Sequence, residues 1–254
     1  MKYLSLILSF LSVVISAQTV MKIDSISLKG VSDFLADDYG NIYLYKNKDF
    51  SWTKYDSIGN QQGRLMLTQP YTLQDVQNPL NIPLFSQNAQ TLKFIDANFN
   101  EIQQISLNQK FGNIATAFVE DLQTVWLLEE STNRLLQYYY RDGKIINSYP
   151  IFFSFFNIKN MIIYDKKIYL LREKSFEIYN FEGQQIEKST IIDGNKIVRE
   201  NDKIYIICKN EILEHSPSSE TKIIFIDKKA KILTKNNNRI FVIKENKIYL
   251  YPNK

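Results

Sequence analysis

One short apolar run recurs along this chain at a nearly constant interval. Its members are Ile42-Tyr43-Leu44, Pro83-Leu84-Phe85, Val125-Trp126-Leu127, Ile168-Tyr169-Leu170, Ile204-Tyr205-Ile206 and Ile240-Phe241-Val242. The central residues, Tyr43, Leu84, Trp126, Tyr169, Tyr205 and Phe241, lie 41, 42, 43, 36 and 36 residues apart. A repeat of about 40 residues in a β pattern points to propeller blades, because such a unit buries its apolar faces only against neighbouring copies. A helical reading fails, since the apolar positions alternate with a period of two over short stretches.

Each run follows a polar turn, such as Asp37-Asp38-Tyr39-Gly40-Asn41 or Asn236-Asn237-Asn238. Asn, Asp and Gly tolerate the positive φ that tight hairpins demand. Further β-rich runs flank it, for example Val31 to Leu35 before it, Trp52 to Asp56 after it, and Gln185 to Ile191 as a fourth. The expected fold is therefore an all-β, six-bladed propeller of four-stranded antiparallel blades, with five units and an irregular second segment as the competing count. The second unit is the weak one. Pro83 stands where a ladder N–H is needed, so a bulge or a short strand is expected there.

The last unit stops at Tyr251-Pro252-Asn253-Lys254, after its third strand, while Val20 to Leu28 alternates before the first unit begins. An unpaired sheet edge leaves a row of unsatisfied backbone groups. The expectation is that Val20 to Leu28 supplies the missing outer strand and the two chain ends latch together.

The start of the chain reads as an export signal. Met1-Lys2 is basic, Tyr3 to Ile15 is apolar apart from serines, and Ser16-Ala17 offers small residues for cleavage before Gln18. Residues 1–17 are read as a signal peptide and 18–254 as a single domain. The apolar run is about 13 residues, short of the ~20 that span a bilayer, and no later stretch reaches that length, so the mature chain is expected to carry no transmembrane segment.

Composition narrows the chemistry. Of 254 residues 44% are hydrophobic, which argues against disorder, and one Cys excludes a disulfide framework or a thiolate zinc site. One His removes most histidine-based catalysis and metal binding. The formal charge is +4, and loss of Lys2 takes it to +3, too small and dispersed to argue for nucleic acid. Cys208 reads as a buried free thiol, His215 as a surface or turn histidine, Asp37-Asp38 as turn residues, and Glu129-Glu130 as the start of a solvated hairpin loop. No phosphate loop, calcium loop or nucleophile elbow is present, so no catalytic residue, cofactor or metal ligand is assigned. The densest aromatic stretch runs from Tyr149 through Ile151, Phe152 and Phe153 to Phe155 and Phe156, in the link between units three and four. It reads either as rings wedged between two sheets or as a partner-contact patch.

The second unit, Asn78-Pro79-Leu80-Asn81-Ile82-Pro83-Leu84-Phe85 with Gln90-Thr91-Leu92-Lys93-Phe94-Ile95-Asp96-Ala97-Asn98-Phe99, resembles a family of exported β-propellers from gliding, type 9-secreting bacteria. The third unit, Val125 to Leu128 and Asn133 to Leu136, is similar to it too, and Pro83 departs from its pattern. The resemblance implies a non-enzymatic interaction module whose partners include subunits of the outer-membrane type 9 translocon. It also implies a periplasmic, outer-membrane-associated protein that is not itself a cargo; the protein is expected to be a monomer when free. The competing reading is a periplasmic lyase or hydrolase acting on carbohydrate or cell-wall fragments, with its site at the mouth of the central channel.

Overall fold

The recurring runs are the second strands of six blades, and they are apolar because each is buried on both faces. The protein is described here by a computed structural model covering residues 21–216 and 219–253, so the signal peptide expected at 1–17 and Val20 lie outside the described residues. Among those residues the strands form six four-stranded sheets. A first strand, β1 (Met21–Ile23), precedes blade one, which comprises β2 (Val31–Ala36), β3 (Ile42–Lys46), β4 (Ser51–Tyr55) and β5 (Gln61–Met66). Blade two is β6 (Thr72–Leu73), β7 (Ile82–Ser86), β8 (Thr91–Ile95) and β9 (Glu101–Ser106). Blade three is β10 (Ile114–Val119), β11 (Thr124–Glu129), β12 (Arg134–Tyr139) and β13 (Lys144–Pro150). Blade four is β14 (Ile158–Tyr164), β15 (Lys167–Arg172), β16 (Ser175–Asn180) and β17 (Gln185–Thr190). Blade five is β18 (Gly194–Glu200), β19 (Lys203–Cys208), β20 (Glu211–Ser216) and β21 (Ser219–Ile226). Blade six takes β22 (Ile232–Lys235), β23 (Arg239–Lys244) and β24 (Lys247–Pro252), with β1 as its outer strand.

Successive side chains of a strand point to opposite faces, so each second strand serves two interfaces. Ile42 and Leu44 of β3 pack with Phe241 and Ile243 of blade six, whereas Tyr43 and Tyr45 pack with Ile82 and Leu84 of blade two. The same division holds in β11, where Val125 and Leu127 face blade two while Trp126 and Leu128 face blade four. The core is thus a ring of interblade layers. Each fully buried large side chain in them, such as Phe34, Tyr169 or Phe241, contributes about 1.5–3 kcal/mol.

The expected latch is present. β1 runs antiparallel to β24 with Met21 opposite Leu250, Lys22 opposite Tyr249 and Ile23 opposite Ile248. Ile23, Ile26 and Leu28 join the layer between blades six and one, beside the edge-on pair Phe34 and Phe241 with ring centroids 6.5 Å apart. The segment also lies against the outer turn of blade one. Gly59 there has φ +93°, a backbone conformation that demands glycine, and a Cβ on it would crowd Ser25.

A short partner strand resolves Pro83. β6 pairs only Thr72 with Phe85 and Leu73 with Leu84. The Pro83 carbonyl accepts the Gln74 N–H at 3.2 Å, which puts its missing N–H on that same side, where the β6 ladder stops. On the other side Pro83 keeps its place opposite Phe94 in the ladder with β8.

Candidate functional site

The innermost strands β2, β6, β10, β14, β18 and β22 each turn one hydrogen-bonding edge toward the axis, and such an edge needs partners. Side-chain amides from the neighbouring blade supply several. Gln74 donates from Nε2 to the Ala117 carbonyl and accepts the Val119 N–H at 3.2 Å, bracketing β10. Gln90 does the same at Ile114, accepting its N–H at 2.7 Å and donating to its carbonyl at 3.0 Å. Asn160 accepts the Ile197 N–H at 3.3 Å, and Gln77 donates to the Ala36 carbonyl at 3.3 Å. At the seam Asn236 donates to the Asp37 carbonyl at 2.6 Å, and Asn237 binds the Asp38 carboxylate through its backbone N–H at 3.0 Å and its side-chain amide.

Inside this frame lies a cavity of about 340 Å³ at the axis, formed where the inner strands end and reverse, with lining residues from all six blades. Its apolar wall includes Leu35, Val76, Phe118, Met161 and Ile162. Its charged lining groups are Asp75, Glu120, Arg199, Glu200 and Lys235. Lys235 is buried, ion-paired with Glu200, and sits 3.9 Å from the centroid of the Tyr205 ring. Burial lowers the Lys235 pKa, and Glu200 opposes that fall. The Arg199 guanidinium lies 4.3 Å over the Tyr164 ring. Glu120 accepts the Trp126 indole N–H at 2.8 Å and the Gln137 amide at 3.3 Å.

Asp75 differs from these. It is exposed to solvent at the cavity, and it accepts the Gln77 N–H at 2.8 Å. Burial pushes its carboxyl above the usual carboxylate range. Among the described residues no Lys, Arg or His forms an ion pair with it. Earlier along the inner strands, Lys196 of blade five reaches past blade six to blade one, with its Nζ 2.7 Å from Asp33 Oδ1 and 3.0 Å from the Phe34 carbonyl.

The aromatic stretch 149–156 is divided by its alternation. Ile151 and Phe153 are buried in the layer between blades three and four, Tyr149 and Phe155 are half-buried there, and Phe152 and Phe156 are 77% and 76% exposed. Tyr149 packs on Phe181 with centroids 4.5 Å apart, and Phe153 on Tyr179 at 4.4 Å. The loop is fastened by Arg172, whose guanidinium donates to the Phe156 and Ser154 carbonyls and to Glu177 at 2.8 Å. Glu177 in turn accepts from Ser175 and Tyr179, each at 2.9 Å, and pairs with Lys188 at 3.0 Å. Burial opposes ionisation of Glu177, but Arg172, Lys188, Ser175 and Tyr179 together outweigh it and bring its pKa down to about 2.

Two expectations are corrected. His215 is a strand residue of β20, only 4% exposed, and not a surface or turn histidine. It packs edge-on to Tyr169 and Phe176 of blade four, with Nδ1 3.1 Å from Thr221 Oγ1. Burial lowers its pKa although Glu187 lies 3.8 Å away, so the ring is neutral near pH 7. It is remote in the fold from the axial cavity. Glu129 is likewise buried and not solvated, because it accepts the Gly112 N–H at 2.7 Å and the Thr132 hydroxyl; Glu130 alone is exposed. Cys208 is the buried thiol expected, with burial pushing its pKa up to about 12. Asp37 is a turn carboxylate, accepting the N–H groups of Tyr39 and Asn41 at 3.0 and 2.8 Å. Among the described residues no helix is long and apolar enough to cross a membrane.

No family model matches the chain, and no curated protein matches it in sequence. Solved structures do match it in shape. Virginiamycin B lyase from Staphylococcus aureus aligns with a TM-score of 0.50 at 14% identity, over 93% of this chain and 89% of that one. The Pan2 WD40 domain of Neurospora crassa aligns with a TM-score of 0.51 at 7% identity, over 88% and 90%. BamB from Moraxella catarrhalis gives 0.45 at 12% identity, over 87% and 82%. At such identities the likeness speaks for the fold alone: the six four-stranded sheets make this chain a six-bladed β-propeller, distantly similar in structure to virginiamycin B lyase and the Pan2 WD40 domain.

Proposed function

We propose that the protein is an exported, non-enzymatic interaction module that docks a protein partner through the loop between blades three and four. The observation that carries this reading is the pair Phe152 and Phe156, two phenylalanines about three-quarters exposed on one short loop. Large apolar rings held in water favour a partner surface. Their presentation is fixed, since Ile151 and Phe153 anchor the loop in the core and Arg172 binds its carbonyls. Phe152 also lies against Gly183, where a Cβ would come within 2.8 Å of its ring. Beside the loop an open groove of about 600 Å³ is lined by Gln87, Glu130 and Asn133. A polar rim around apolar anchors is the usual anatomy of an interface.

The partner we propose is a subunit of the outer-membrane type 9 secretion or gliding machinery, met in the periplasm by a propeller that is otherwise monomeric. This rests on the resemblance of the second and third units and on the leader at residues 1–17. The enzyme reading is less favoured, because His215 and Cys208, the chain's single His and Cys, both lie in the layer between blades four and five. The test is capture from detergent-solubilised outer membrane with the wild-type protein and with Phe152→Ser/Phe156→Ser. Recovery of translocon subunits by the wild type, lost in the double variant, supports the proposal. Recovery of the propeller alone from both overturns it.

A further inference from the structure

We infer that the axial cavity is a binding site for an organic cation, an alkylammonium or guanidinium group on a short apolar stem, with Asp75 as its anion. This goes beyond the docking proposed for the 151–157 loop and uses none of its residues. The cavity, about 340 Å³, falls within the range of small-molecule pockets and is lined by every blade. The Lys196 to Asp33 contact joins blade five to blade one farther back along the inner strands.

The three carboxylates lining the cavity, Asp75, Glu120 and Glu200, outnumber its two cations, Arg199 and Lys235. Lys235 and Glu200 satisfy each other, Arg199 stacks on Tyr164, and Glu120 is held by Trp126 and Gln137. Asp75 has one N–H from Gln77 against the roughly four acceptor sites of a carboxylate. It therefore has acceptor capacity at the cavity for a charge-assisted hydrogen bond from a cation. The raised pKa of its carboxyl has the same origin, since burial without a countercharge penalises the ionised form. An anion would meet Asp75 unfavourably. A methylene stem would lie along Val76, Phe118, Met161 and Ile162. The full sequence carries +4 and the chain without residues 1–17 carries +3, so non-specific attraction of cations to its surface is weak and a saturable signal reports this site.

The experiment titrates the full mature chain by calorimetry with n-butylammonium, with N-acetyl-lysine methylamide and N-acetyl-arginine methylamide, and with the neutral isostere N-acetyl-norleucine methylamide. The proposal expects saturable one-to-one binding of at least one cationic probe and none of the norleucine probe. Binding of n-butylammonium points to a free amine, and binding of the amino-acid amides alone points to a basic side chain of a partner. Asp75→Asn, a near-isosteric change in a solvated lumen, should weaken binding at least tenfold, while Phe152→Ser/Phe156→Ser leaves it unchanged. If Asp75→Asn does not fold, amide chemical-shift changes in the wild type decide, and they should centre on Asp75 and Val76. No saturable binding to the wild type, equal binding of the neutral probe, unaltered binding to Asp75→Asn, or shifts centred elsewhere each overturn the inference.

Discussion

Blades six and two each complete their four strands with a weak one, and the weakness is repaired differently. Blade six lacks an outer strand of its own and borrows β1, only three residues long, from the other end of the chain. The repair succeeds because Ile23, Ile26 and Leu28 also enter the seam, so that apolar burial supplements a short ladder. Blade two has an inner strand of two residues and a proline beside it. Its repair is polar, with Gln74 and Gln77 bonding to β10 and to blade one in place of backbone. A propeller therefore tolerates a weak strand at the rim if the strand carries core residues. It tolerates a weak strand at the axis if amide side chains replace the lost edge.

The largest expected effect breaks the first repair. Ile26→Asp places an unpaired carboxylate among Phe34, Phe241 and Ile248, and should cost at least about 3 kcal/mol, read in urea unfolding as a sharply lowered midpoint. If the seam were dispensable, the variant would unfold with the wild type.

A reference outside both regions is Glu177 in blade four. Glu177→Gln should cost about 1.5–3 kcal/mol at pH 7, the scale of hydrogen bonds to a charged group. Its pKa in the folded protein is about 2 against 4.5 unfolded. The stabilisation is therefore complete above the unfolded value and disappears as pH falls toward 2. Denaturation midpoints of wild type and variant should converge over that window, and a gap that persists at pH 2 would contradict the assignment.

Gln74→Leu tests the polar repair of blade two, and Asn236→Ala tests the corresponding amide between blades six and one. Each removes amide bonds to the backbone of a neighbouring blade, leaving partly buried groups without partners, and each should cost about 1–3 kcal/mol. Hydrogen exchange sharpens this, since protection should fall at Val119 in the first variant and around Asn238 and Arg239 in the second. The smallest effect is expected for Pro83→Ala. The restored N–H lies at the end of the β6 ladder, so the change in midpoint should correspond to less than about 1 kcal/mol.

The blade count was readable because second strands are buried on both faces, so Ile-Tyr-Leu and its variants stand out as unbroken apolar runs. The seam was readable because alternation in 20–28 had no partner nearby. The amide brackets were not, since a lone Gln74 or Asn160 carries no periodic signal and its role depends on which blade stands next to it. The burial of His215 and Glu129 was hidden for a related reason: each follows apolar residues near a polar turn, and only the neighbouring blade or loop covers it. Alternation could have divided the aromatic stretch, placing Ile151 and Phe153 inside and Phe152 outside. The axial cavity draws its lining from six separate segments, so nothing local in the sequence marks Asp75.

The pairing of Met21–Ile23 with Lys247–Pro252 has a kinetic consequence. β1 waits for β24, so during synthesis the ring stays open while the intervening blades accumulate. Contacts of such long sequence separation slow folding. Sealing the circle should be the final and rate-limiting event, and interrupted chains should persist as unlatched arcs with two adhesive ends.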